Sequence, residues 1–148
     1  SLVENADFSY SLTDPFPWRQ NPESDSGDKL ASTVDRKTAY KIVGVVGKKK
    51  NISQEFNISG KAGDSFIVSG WAKGSSVALS EDSVPDEEAR RFALGVGLEK
   101  SSTEADWFLI PFNEDIDDWQ YVSSVIVAKS DYRKVSIYGE YYNNLNEA

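Results

Sequence analysis

Trp71 stands in the stretch GDSFIVSGWAKGSS, residues 63–76. Alternation there puts Phe66, Val68, Gly70 and Ala72 on one face and Ile67, Ser69, Trp71 and Lys73 on the other. The first set reads as core, so Trp71 is expected on the outer face. The same period turns Arg91, Ala93, Gly95, Gly97 and Glu99 outward from residues 91–99, and Ser136, Tyr138, Glu140 and Tyr142 outward from residues 132–142. A Trp, a strip of Ala and Gly, and two Tyr supply a floor without side chains and aromatic walls. Such a face suits a sugar, whose flat C–H side packs on an aromatic ring while rim groups such as Lys73, Glu99 and Glu140 reach its hydroxyls. The candidate carbohydrate-binding residues are Trp71, Lys73, Arg91, Glu99, Tyr138, Glu140 and Tyr142, with Trp71 beside Tyr138 and Tyr142. The opposite assignment, with Ile67 and Trp71 in the core, would make Trp71→Ala a loss of about 3 to 5 kcal/mol in stability.

Other chemistries find little support. The chain has no Cys, which removes disulfides, thiolate metal sites and a Cys nucleophile, and no His, the commonest general base and transition-metal ligand. With 24 acidic and 16 basic residues the net charge is -8, which repels a nucleic-acid backbone or an anionic membrane surface. No apolar run approaches the roughly 20 residues of a membrane span. The segment NEDIDDW, 113–119, clusters Glu114, Asp115, Asp117 and Asp118, but it lacks the Gly and terminal Glu of a calcium loop and reads as a solvated turn. No catalytic motif is found, and a carboxylate pair for glycoside hydrolysis is defined by a separation that sequence spacing does not give.

These residues need strands to position them. Short period-two segments separated by Gly, Asn, Asp and Ser predict strands over Lys29–Val34, Thr38–Val46, Asn51–Ile58, Asp64–Lys73, Arg91–Glu99, Trp107–Phe112, Trp119–Ala128 and Tyr132–Tyr142. Residues 13–28 and 80–90 read as irregular, the latter with one helical turn after Pro85. The pattern predicts one domain, residues 1–148, folded as an all-β, two-sheet antiparallel sandwich. Ile52, Gln54, Phe56 and Ile58 are expected inward, as are Phe92, Leu94, Val96 and Leu98. Trp119 and Tyr121 share a face with Val125 and Val127, which packing alone explains. Trp107, at a strand start, suits packing or a ligand, and Trp18 reads as a plug over one end.

The segments LVENADF, ISQEFNISGKAGDSFIVSGWAKG, RRFALGVGLE and FNEDIDDWQYVSSVIVAKSDYRKVSIYGEYYNN resemble carbohydrate-binding modules of families four and nine. The resemblance is to the version found in very large bacterial surface or secreted proteins with tyrosine–aspartate (Rhs-type) repeats, and it spans nearly the whole chain. It implies a jelly-roll sandwich, not an enzyme, that holds an oligo- or polysaccharide in a groove across one sheet and targets or anchors a larger extracellular or cell-surface protein. The alternative is a structural spacer or protein-docking sandwich with no glycan site. Such modules often hold a structural calcium. Here Ser9 follows Phe8 where the family carries Glu, so no tightly held calcium is expected. The closing strand, which resembles A-Y-F-D-N-V-x-L in the family, has no counterpart before Ala148. Its lack predicts an open sheet edge, met by self-association or by cover from the amino-terminal segment.

Overall fold

The computed structural model describes residues 1–34, 38–77, 90–142, 144 and 147–148. The period-two segments become strands β2 (Lys29–Ser32), β3 (Thr38–Lys41), β4 (Lys49–Phe56), β5 (Ser65–Lys73), β6 (Arg91–Glu99), β7 (Ala105–Pro111), β8 (Trp119–Val127) and β9 (Lys134–Tyr142). They follow a short β1, Arg19–Gln20. The expected helical turn after Pro85 lies outside the described residues. Among those described, no helix is long and apolar enough to cross a membrane.

Every strand pairing is antiparallel, and the layers form a β-sandwich of jelly-roll type. One sheet runs β1-β4-β9-β6-β7. Two ribbons, β2-β3 and β5-β8, make up the other side. Successive strands cross between sides: β4 hands over to β5, and β8 returns to β9, which inserts between β4 and β6. Gly47 and Gly63 turn the chain before β4 and β5 with φ of 86° and 92°, where a side chain would be strained.

Alternation assigns the core as expected. Val68 and Ile126 of the β5-β8 ribbon pack with Val96, Leu98, Ile110 and Val135 of the larger sheet. The layers touch closely at Gly70, where an added Cβ would lie 3.0 Å from Leu94 Cδ1. A second cluster joins Ile42, Val77, Phe92, Phe112 and Tyr141. Ile52 and Gln54 of β4 are buried, and Gln54 is satisfied by the amino-terminal segment, donating to Glu4 O at 2.6 Å and accepting from Glu4 N at 3.2 Å.

Lys50 is fully buried at the start of β4. Its ammonium reaches Asp25 Oδ2 at 2.8 Å, Asp28 Oδ2 at 3.0 Å and the Val43 carbonyl at 2.7 Å, tying the turn before β2 to the chain after β3.

Candidate functional site

The outward face of the larger sheet is built from four strands in register. Glu55, Ser136, Gly97 and Trp107 form one row across β4, β9, β6 and β7. Ser53, Tyr138, Gly95 and Leu109 form the next, and Asn51, Glu140, Ala93 and Pro111 the third. At one end Tyr142 pairs with Arg91, and at the other Glu99 pairs with Lys134. Five expected site residues, Arg91, Glu99, Tyr138, Glu140 and Tyr142, therefore share this face.

Trp71 and Lys73 do not. Trp71 does point outward, at 49 % exposure, but β5 pairs with β8 and not with β9, so its neighbour is Tyr121, ring to ring at 5.2 Å. Its face lies on the far side of the core from Tyr138 and Tyr142. The expectation that those three rings adjoin is corrected by the sheet order. Tyr121, Val125 and Val127, expected to be packed, are also exposed on that far face, because β8 turns its Val122, Ser124 and Ile126 side toward the core.

The ring beside Tyr138 is Trp107, with centroids 5.6 Å apart. Trp107 is 61 % exposed and lies over Gly97, where an added Cβ would sit 2.7 Å from ring carbon Cζ3. The alternation of Trp107 and Leu109 against Phe108 and Ile110 already sets its face. What the sequence does not give is the β6-β7 pairing that places it above the glycine.

The Ala–Gly strip is covered rather than bare. Ala93, Gly95 and Gly97 are buried by their neighbours' side chains: Trp107 covers Gly97, and Glu140 Oε1 would be 2.8 Å from a Cβ on Gly95. Beside them lies a hollow of about 260 Å³ lined by Trp107, Tyr138, Ser136, Glu55, Glu99 and the loop 101–105. Its glutamates face basic groups: Lys134 Nζ is 3.5 Å from Glu55 and 3.6 Å from Glu99, and Arg133 Nη2 is 2.7 Å from Glu99 Oε1. The Arg133 hydrogen bond, with Lys134 nearby, holds the Glu99 carboxyl below its ordinary range.

The far end of the face is a polar network. Arg91 Nη1 is 3.3 Å from Glu140 Oε2, and the guanidinium lies over the Tyr142 ring, 5.3 Å from its centroid. The Tyr142 hydroxyl donates to Glu140 Oε1 at 3.4 Å and accepts from Asn51 Nδ2 at 3.1 Å. Burial raises the Glu140 carboxyl above the usual carboxylate range, against the opposing pull of Arg91. Burial likewise raises the Tyr138 and Tyr142 hydroxyls, which stay protonated donors at neutral pH.

Two solved structures share this architecture. One described as Family 16 Carbohydrate Binding Module-2 matches with a TM-score of 0.54 at 12% identity, over 99% of this chain and 93% of that one. The fold is one that a carbohydrate-binding module uses. The enzymatically active domain of bacteriophage CBA120 tailspike protein 4 matches with a TM-score of 0.57 at 13% identity, over 99% of this chain but 20% of that one. No protein-family model and no curated protein sequence matches the chain.

The acidic turn 113–119 is engaged locally. Asp117 Oδ1 accepts from Ser76 N at 2.8 Å, Asp118 Oδ1 accepts from Trp119 N at 2.7 Å, and Glu114 lies 3.5 Å from Arg90 Nη2. Near the amino terminus Asp7 Oδ1 accepts from Ser9 Oγ at 2.7 Å. Among the described residues no group of three or more His, Cys, Asp or Glu side chains is placed to hold a metal ion.

Proposed function

We propose that the outward face of the β4-β9-β6-β7 strands binds an oligo- or polysaccharide and leaves it chemically unchanged. The observation that carries this reading is the exposed Trp107 ring beside Tyr138, above a glycine, in a hollow rimmed by Glu55, Glu99 and Ser136. An aromatic platform takes the C–H face of a sugar, and the rim accepts its hydroxyl protons. Arg91, Glu140, Tyr142 and Asn51 continue the face with further donors and acceptors for a longer chain. One platform and a few hydrogen bonds supply roughly 4 to 7 kcal/mol, about millimolar to about ten-micromolar affinity.

In this reading the sugar is bound without turnover. Glycoside hydrolysis needs a protonated acid and a second carboxylate about 5 to 9.5 Å apart. Glu140, the carboxyl raised by burial, lies opposite Ala93, and Glu99 is six residues further along β6, about 20 Å away at about 3.3 Å per residue. Glu55 and Glu99 both lie against the Lys134 ammonium, at 3.5 and 3.6 Å.

The module serves a larger extracellular or surface protein as a targeting or anchoring domain, of the family four/nine type met in proteins with Rhs-type repeats. Avidity from repeated modules makes weak affinity sufficient there. The second reading, a protein-docking sandwich, is favoured by one feature, the apolar far face where Ile67, Trp71, Tyr121, Val125 and Val127 are all exposed. A glycan-array screen followed by calorimetry on the wild type and Trp107→Ala separates the two. Sugar binding lost in Trp107→Ala, with no product released, supports the first reading, and an empty array overturns it.

A further inference from the structure

The hollow beside Trp107 is lopsided in charge. Among the described residues that line it stand three carboxylates, Glu55, Glu99 and Glu104, and no Lys or Arg. Glu55 faces the indole across Ser136 and Gly97, and Glu104 enters from the loop that leads into β7. Cations lie beside these carboxylates, but they engage them unequally. Arg133 donates two hydrogen bonds to Glu99 Oε1, at 2.7 and 3.1 Å, so that carboxylate is committed. Lys134 Nζ is 3.5 Å from Glu55 Oε2, while Lys100 Nζ is 4.0 Å from Glu104 Oε2 and closer, at 3.4 Å, to Asp106. The Glu55 and Glu104 side chains are 44 and 70 % exposed, and ion pairs so long and so exposed hold weakly. Arg91, at the far end of the face, already faces Glu140.

We propose that the sugar this hollow takes is a hexosamine with a free, protonated amino group, its ring on Trp107 and its ammonium turned toward the rim carboxylates Glu55 and Glu104. The inference rests on the glycan reading above and names the class of sugar. A pyranose whose C–H face lies on an indole sends its equatorial substituents out past the ring edge, where the rim groups stand. There a hydroxyl gives a carboxylate one proton and no charge. An ammonium gives up to three and balances the charge, and hydrogen bonds between ionised partners are roughly twice as strong as neutral ones. The exposed indole adds to the preference, since its face attracts cations. An N-acetyl group replaces the ammonium by a neutral amide. A uronic acid sets another carboxylate against the glutamates with no proton to give, and the net charge of -8 repels such a chain at longer range as well.

The test is calorimetric titration at about pH 5.5, above the ordinary range of a glutamate and below that of an amine. It compares four tetrasaccharides of one linkage, made of glucosamine, N-acetylglucosamine, glucose and glucuronic acid. The glucosamine chain is expected to bind about tenfold more tightly than the N-acetylglucosamine and glucose chains, and the glucuronic acid chain about tenfold more weakly than glucose. Raising the salt from about 0.05 M to about 0.5 M should narrow both gaps. Glu55→Gln combined with Glu104→Gln should bring the ratio of glucosamine to glucose affinity within about twofold, and Trp107→Ala should weaken glucosamine binding about tenfold. Equal affinity for the glucosamine and glucose chains overturns the proposal and leaves the glycan reading standing, as does a tenfold ratio kept by the double variant. Glucosamine binding undiminished in Trp107→Ala also overturns it, because a polycation is then adhering to an acidic surface. No binding of any of the four chains overturns both readings.

Discussion

Gly97 and Trp107 are cross-strand partners, and the indole lies so close over the glycine that an added Cβ would approach three ring carbons at 2.7, 3.1 and 3.1 Å. The absent side chain therefore sets the height of the aromatic platform above the sheet. Gly97→Ala should lift or tilt the ring without removing it, lowering sugar affinity by about tenfold while costing about 1 to 3 kcal/mol in stability from overpacking. Trp107→Ala should lower affinity at least as much with a smaller loss of stability, since the ring is 61 % exposed. Calorimetric titration paired with urea unfolding reads both. Unchanged affinity in the two variants would remove the platform from the site.

The far face gives the contrasting expectation. Trp71 and Tyr121 pack against each other across β5 and β8, and the core separates them from the Trp107 platform. Trp71→Ala should leave sugar affinity within about twofold of wild type and cost about 1 kcal/mol of cross-strand packing or less. A tenfold loss of affinity would move the binding site to the β5-β8 ribbon.

This division marks where the sequence stops being legible. Period-two alternation named the outward residue at Trp71, Gly97 and Tyr138 alike, because a pleated strand fixes each side chain's face locally. It says nothing about which strands adjoin. Alternation alone allows β9 beside β5 and so groups Trp71 with Tyr138 and Tyr142, whereas the pairing of β9 with β4 and β6 puts those rings on the opposite surface. For the same reason alternation does not show what Trp107 packs on. β1 shows no alternation because Arg19 and Gln20 are a strand only through their pairing with Ser53 and Ile52. Lys50 escapes too, since nothing in KKKN distinguishes a lysine that will be buried by two aspartates brought from 22 and 25 residues away.

Two glutamates on the binding face should pull stability in opposite directions with pH. The raised Glu140 carboxyl contributes stability that is complete below the ordinary 4.5 and lost as pH rises through its folded value. The lowered Glu99 carboxyl contributes stability present above 4.5 and lost as pH falls through its folded value. Glu140→Gln should thus flatten the pH dependence on the side above 4.5, and Glu99→Gln on the side below it. Urea midpoints across this range check the pair, and identical profiles for both variants would contradict the assignment.

The Lys50 cluster makes the largest stability prediction. Its ammonium is enclosed with Asp28, and both side chains are almost wholly shielded from water. Burial works to lower the Lys50 pKa, yet the hydrogen bonds that Lys50 donates to Asp25 and Asp28 outweigh it and hold the value above the ordinary 10.5, while the Lys50 contact lowers Asp25 below 3.8. The sign is then fixed at both ends. The Lys50 contribution is complete below 10.5 and lost as pH rises through the raised value, and the Asp25 contribution is lost only as pH falls through the depressed one, so neutral pH keeps both. Lys50→Met leaves Asp28 buried without its cation and should cost about 3 to 5 kcal/mol. Adding Asp28→Asn should restore part of that loss, because the stranded charge is gone while the acceptor for Val43 N at 2.8 Å remains. Urea denaturation of the two variants at neutral pH measures the difference, and a single-variant loss under about 1 kcal/mol would show that the pair does not hold the turn before β2 to the chain after β3.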